Sequence, residues 1–334
     1  MMAEGELNVP LKVGVALSGG GAAGMAHVGV LEELLAAGME ISCVAGTSAG
    51  AMVGAAFANG QLASFRDTMC ALTRSRVLRL FDPIWPQSGL LEGRRALELV
   101  RPHLGYTIES LPIPFAAVAT DLHSGEEVVL RSGSVIEAVR ASIAIPGLFT
   151  PQRWGGRVLV DGGLVNPIPA DVARALGAEF VIAVSVLNVH PSVLPRSRAR
   201  GGLTQQWSER LRRRMEKSVA KAARLLPEAN GTPATELGLV EILSRASTVV
   251  QAHIAAARLR EQPPDFLVQV PVRLGLFDFH QSREAVQAGR AAAREVLPDL
   301  RRALAEALPL MDRLSRWFDV TASRWSARRT AERS

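Results

Sequence analysis

The sequence predicts an α/β protein built on a largely parallel sheet covered by helices on both faces. Three observations carry that expectation. Short apolar, β-branched runs alternate with helical patterns along most of the chain. Three of the runs end in glycine-rich turns: Ser18-Gly19-Gly20-Gly21, Gly46-Thr47-Ser48-Ala49-Gly50 and Asp161-Gly162-Gly163. Finally, 48% of the 334 residues are hydrophobic and 21% charged, which excludes a disordered chain and suffices for one large domain or two ordinary ones. No apolar run reaches the ~18 residues that span a bilayer.

The elements follow in order. Leu11 to Leu17 reads as a strand, with a helix behind the glycines to about Ala37. Ile41 to Ala45 is a second strand, again followed by a helix. Further strands are expected at Phe115–Thr120, Glu127–Arg131, Arg157–Val160 and Phe180–Val186. Asp171 to Leu176, with Gly177 behind it, reads as a helix with a glycine C-cap. Phe266 to Val270 and Ser282 to Leu297 add a last strand and helix.

Charge is unevenly placed. The chain is +6, but ten basic residues and two acids between Arg196 and Arg224 make that segment +8, leaving −2 for the remainder. Leu203, Trp207, Leu211, Met215, Val219, Ala222 and Leu226 form an apolar helical stripe through it. A second stripe runs through Leu310, Leu314, Trp317, Thr321 and Trp325. Both fit either a helix packed on the domain or a basic amphipathic helix on anionic lipid. The domain reading is a core over 11–190, a basic helical insertion over 191–262, the core's final strand and helix over 263–297, and a helical tail over 298–334. Cys43 and Cys70 cannot make a disulfide framework, and no Cys/His cluster has zinc spacing. Glu4 and Glu6 with no apolar run predict no secretory leader, so the expected location is cytoplasmic. The basic segment lacks any nucleic-acid recognition motif.

Three turns can carry chemistry. Gly46-Thr47-Ser48-Ala49-Gly50 is a G-x-S-x-G between strand and helix, where a strained turn presents a serine Oγ and tolerates only small neighbours. Its bland alternative is a tight turn with an idle serine. Gly19-Gly20-Gly21-Ala22-Ala23-Gly24 satisfies a dinucleotide fingerprint, but the acid needed at the end of the next strand is missing, since Glu40 stands at the wrong end. Consecutive glycines can instead aim backbone amides at a developing oxyanion. Asp161 at a strand end is either a structural turn residue or an acid held close to a reacting group. In a parallel sheet the C-terminal strand ends share one edge, which predicts that the three turns meet there.

Those three motifs in order resemble the signature of patatin-like phospholipases, nearest the small bacterial members related to the neuropathy target esterase catalytic domain. Ala141-Ser142-Ile143-Ala144-Ile145-Pro146-Gly147-Leu148-Phe149 and Asn166-Pro167-Ile168-Pro169 resemble further family blocks. The resemblance covers about Leu11 to Val189, and more loosely Pro263 to Ala293. It implies a three-layer α/β sandwich that hydrolyses lipid acyl esters (phospholipase A or lysophospholipase type) without metal or organic cofactor. It implies Ser48 as nucleophile, Asp161 as base, and the Gly19, Gly20 and Gly21 amides as the oxyanion hole. One departure stands out: Ala23 occupies a place where the family usually has Arg or Lys.

Two rivals remain at this level. A Ser–Asp–His triad would draw on His280, in an expected loop, whereas His190 falls in a linker and His253 in a helical pattern. His27 in the first helix reads as a packing or capping residue. The other rival is a non-catalytic, membrane-associated regulator of the same fold, for which Ala23 is the only support. The expected partners are a lipid acyl ester and, peripherally, an anionic membrane face through 196–226 and 310–325, with no nucleic acid. The oligomeric state cannot be read from the sequence.

Overall fold

The computed structural model describes residues 11–82, 89–187 and 239–308. The basic segment and the second stripe, and with them the expected membrane contacts through 196–226 and 310–325, lie outside the described residues, as does His190. The described strands form one sheet: β1 (Val13–Leu17), β2 (Ile41–Thr47), β3 (Phe115–Asp121), β4 (Glu127–Leu130), β5 (Gln152–Trp154), β6 (Arg157–Asp161), β7 (Phe180–Ser185) and β8 (Phe266–Gln269). Five of them lie parallel in the order β3-β2-β1-β7-β8. β4, β6 and β5 extend the sheet with antiparallel pairings. Only β5, three residues long, escaped the sequence reading; so short a strand carries too little period-two pattern.

Alternation along the parallel strands sorts two cores. Val15, Leu17, Val44, Ile182 and Val184 point to one face and Ala16, Ala45, Ala116 and Ala183 to the other. The large side chains pack under α1 (Ala26–Ala36), α2 (Ala49–Ala58) and α9 (Ser282–Ala307). The alanine face takes α7 (Ala170–Ala175) and α8 (Leu239–Glu261) through Val172, Ala173, Ala255, Ala256 and Leu259. The result is a three-layer sandwich. α3 (Leu62–Cys70), α4 (Arg74–Leu80), α5 (Arg94–Leu104) and α6 (Val135–Ser142) complete the described helices. No helix among the described residues is long and apolar enough to cross a membrane.

The helix expected to end at Leu297 continues through Pro298 to Ala307. Proline removes one ladder bond, but Leu300, Ala303 and Leu304 extend the buried stripe and hold the next turns in place.

The relation between β2 and β6 positions the site. Ala117 and Val118 of β3 pair with β2 and with β4, whereas Ala119 and Thr120 pair with β4 and with β6. A strand residue has two edges, so β2 and β6 take successive halves of the same edge of β3. They run toward each other, β2 ending at Thr47 opposite Val118 and β6 at Asp161 opposite Ala119. The turns of Ser48 and Asp161 therefore meet, but not as parallel strand ends. Head-on approach along β3 brings them together.

α1 crosses α9 at Gly29 and Gly289. A Cβ at Gly29 would collide with the Val286 carbonyl, and one at Gly289 with that of Ala26. Gly289→Ala should therefore lower stability by about 2 kcal/mol or more, seen as a fall of several degrees in the thermal midpoint.

Candidate active site

Ser48 sits between β2 and α2 with φ 55° and ψ −121°, and is the one non-glycine among the described residues with a positive φ. Such backbone costs about 1–3 kcal/mol and persists only when its surroundings impose it. The flanking glycines are required by space: a Cβ at Gly46 would strike the Gly50 carbonyl, and one at Gly50 the Leu17 carbonyl. The Ser48 amide donates to Ser142 Oγ at 2.8 Å, and Ser142 Oγ donates to the Val118 carbonyl at 2.6 Å. One hydroxyl thus ties the strained turn to β3. Thr47 Oγ1 donates to the Asn166 carbonyl at 2.7 Å, tying the same turn to the segment after Asp161.

Ser48 Oγ donates directly to Asp161 Oδ2 at 2.7 Å. The other carboxylate oxygen accepts from the Gly163 amide at 2.7 Å. Ser48 is 5% exposed and Asp161 1%. Burial pushes the Asp161 carboxyl up to about 6, while the bonds from Ser48 and Gly163 oppose that shift. A carboxylate near 6 is a far better base at neutral pH than a free one near 3.9.

The glycine loop is anchored on both sides of Gly20 and Gly21. The Ser18 amide donates to the Val184 carbonyl, the Gly19 amide to that of Pro167, and the Ala22 amide to that of Leu276. His27, fully buried, donates from Nε2 to the Ser18 carbonyl at 2.8 Å, and burial drives its ring down to about 4, so it is neutral. It pins the loop, in line with a packing or capping role. Gly20 and Gly21 have φ of 142° and 56°, and their amides donate to no acceptor among the described residues. Ala23 lies in the main apolar core, so the loop is anchored by its backbone and His27, with no cation at that place.

Beside Ser48 opens a cavity of about 100 Å³. Gly21, Ser48, Met52, Ile145, Phe149 and Leu276 are among its lining, and almost every other wall is aliphatic or aromatic. Phe277 packs edge-to-face with Phe81 and Phe149, at centroid distances of 5.0 and 6.2 Å. Buried Arg140 secures this wall by donating to the Glu92 and Thr150 carbonyls and lying 5.9 Å from the Phe149 ring centre. The site can thus transfer a proton from serine to carboxylate beside an apolar slot.

Among the described residues, neither His280 nor His253 hydrogen-bonds this pair. His280 contacts Gln281, and His253 bonds the Val249 carbonyl on its own helix. Ser142 and Arg140 were missed as contributors. Ser142 was visible only as part of the block from Ala141 to Phe149, and nothing local marked its hydroxyl as a bridge.

Comparison with known proteins places the chain in a family. The patatin-like phospholipase family model matches residues 15–174. An uncharacterized NTE family protein of Mycobacterium tuberculosis is 33% identical over 330 residues, covering 86% of this chain and 91% of the relative. The chain belongs to the patatin-like phospholipase family. A second uncharacterized NTE family protein of that organism is 37% identical over 304 residues, covering 86% of this chain and 47% of the relative. The mouse patatin-like phospholipase domain-containing protein 6 is 33% identical over 181 residues, covering 52% of this chain and 13% of its own length.

Ser142→Ala should leave the buried Ser48 amide without an acceptor. That costs about 1–3 kcal/mol, so the expected outcome is a lower thermal midpoint together with slower labelling of Ser48 by a fluorophosphonate. Unchanged values of both would remove Ser142 from the site.

Proposed function

We propose that this patatin-family protein is a serine acyl-ester hydrolase acting on lipids, of the phospholipase A or lysophospholipase type. The observation that carries the reading is the direct 2.7 Å bond from Ser48 Oγ to the buried Asp161 carboxylate at the wall of an apolar cavity. Ser48 Oγ attacks the acyl carbonyl carbon as its proton passes to Asp161 Oδ2. The carbonyl oxygen, now negative, is held by backbone amides of the glycine loop; each good donor is worth about 3 kcal/mol. Because the Gly19 amide is engaged by the Pro167 carbonyl, this role falls to Gly20 and Gly21. Collapse expels the alcohol, which takes the proton from Asp161. Water then attacks the acyl-serine, giving its proton to Asp161, and the carboxylic acid leaves as Ser48 recovers a proton. The acyl chain lies in the cavity, where burying it removes apolar surface from water.

Ser48→Ala and Asp161→Asn should each lower kcat on short-chain esters and lysophospholipids by a factor of roughly ten thousand or more. Turnover at the wild-type rate in either variant would sink the proposed pair.

The pH dependence has a definite sign. Asp161 must be ionised to act as base, so kcat/KM of the wild type should rise as the pH passes through about 6 and level off above it. The same raised value means that stability from the neutral carboxyl is present below about 3.8 and lost as the pH climbs through about 6. Inactive Asp161→Asn should accordingly be more stable than the wild type above pH 6, by on the order of 3 kcal/mol, and lose that advantage in acid.

Ala96, on the cavity wall, offers a test of where the acyl chain lies. Ala96→Trp should reduce activity on long-chain esters by about tenfold while sparing short-chain ones. Equal loss on both would place the chain elsewhere.

A further inference from the structure

α8 reaches the site from outside the stretch that the family model matches. Its Arg258 donates from Nε to the Val165 carbonyl at 2.9 Å and pairs with Glu127 at 2.8 Å, fastening the helix behind the turn that follows Asp161. Two turns earlier on the same face stands Gln251, only 6% exposed, its Nε2 donating to Ser247 Oγ at 3.1 Å. A Cβ built on Gly163 would stand 2.7 Å from Gln251 Nε2 and 2.9 Å from Asp161 Oδ1. One built on Gly19 would stand 3.0 Å from Gln251 Oε1 and 3.5 Å from Ser48 Cβ. Neither glycine has a positive φ, so what a side chain would meet at both places is this carboxamide, which it would have to displace, and at Gly163 the Asp161 carboxylate as well.

We propose that Gln251 is a positioning residue of the acyl-transfer site: wedged between Gly19 and Gly163, its side chain sets the spacing between the oxyanion loop and the Asp161 turn. The inference rests on the hydrolase reading above. Gln251 is not among the residues lining the cavity, and Ser48 Oγ bonds Asp161 instead; the side chain acts through the two turns. The leverage is large, because a misplacement of about 1 Å can cost on the order of a hundredfold in rate.

The test compares wild type, Gln251→Ala, Gln251→Met, Gly19→Ala and the double variant Gly19→Ala/Gln251→Ala in the full chain. The readouts are kcat and KM on a short-chain p-nitrophenyl ester and the rate of Ser48 labelling by a fluorophosphonate, taken well below each measured thermal midpoint. Gln251→Ala should lower kcat and labelling by about tenfold or more with KM changed less than roughly twofold. Gln251→Met, of similar length, should restore most of that loss. Gly19→Ala should be impaired alone yet add nothing to Gln251→Ala, because the smaller side chain frees the space that the new methyl needs.

The inference is overturned if Gln251→Ala stays within about twofold of wild type, if Gln251→Met is as impaired as Gln251→Ala, or if the two single losses multiply in the double variant. Should Gln251→Ala not fold, Gln251→Asn is judged by the same criteria. An active wild type matched by its Gln251 variants overturns this inference alone. A wild type that neither turns over nor labels overturns the hydrolase reading and this one with it.

Discussion

One edge of β3 organises the molecule. It is long enough for two partners, and β2 fills its first half from one direction while β6 fills its second half from the other. Where the two meet, each must leave the sheet, because neither can pass the other. β2 leaves through the strained Ser48 turn into α2, and β6 leaves through Asp161 into the Gly162-Gly163 turn. The hydroxyl and the carboxylate therefore face each other at the junction, bonded at 2.7 Å and buried. Burial, the raised carboxyl pKa and the demand for small residues nearby all descend from that collision of strand ends.

Crowding at the junction explains the glycines better than backbone conformation does. Gly46, Gly50 and Gly162 have no room for a side chain because Gly50, Leu17 and Val118 backbone atoms occupy it. Gly20 and Gly21 are different, since their positive φ turns the loop so that its amides stay free of internal partners among the described residues. The polar groups around the junction are nearly all spent on holding backbone: Ser142 on Ser48 and Val118, Thr47 on Asn166, His27 on Ser18, Thr120 on the Asp161 carbonyl. A buried site of this kind depends on each of these bonds, since an unmade one is costly where water cannot replace it.

Local sequence made the framework legible. Apolar runs placed seven of the eight described strands within a few residues, and glycine-rich turns marked the places where chemistry could gather. Charge mapping separated a near-neutral body from a basic segment. Reading failed where the information was not local. β5 is too short to carry a pattern, and α9 runs through Pro298 because packing beyond it outweighs the lost bond. The antiparallel course of β6 is a property of β3's edge, which no stretch of β6 records.

The sequence by itself determined the α/β class, the three turns and the identity of the side chains they present. These are written in periodicity and in residues whose backbone and steric demands act within a few positions. Only the tertiary structure decided that Ser48 and Asp161 touch, that Ser142 and His27 hold the turns, and that Gln251 from α8 fills the space above two glycines. Apart from the His27 bond, which spans only nine positions, those relations join residues separated by about a hundred positions, or depend on which atoms occupy a shared volume. They exist only once the chain has packed.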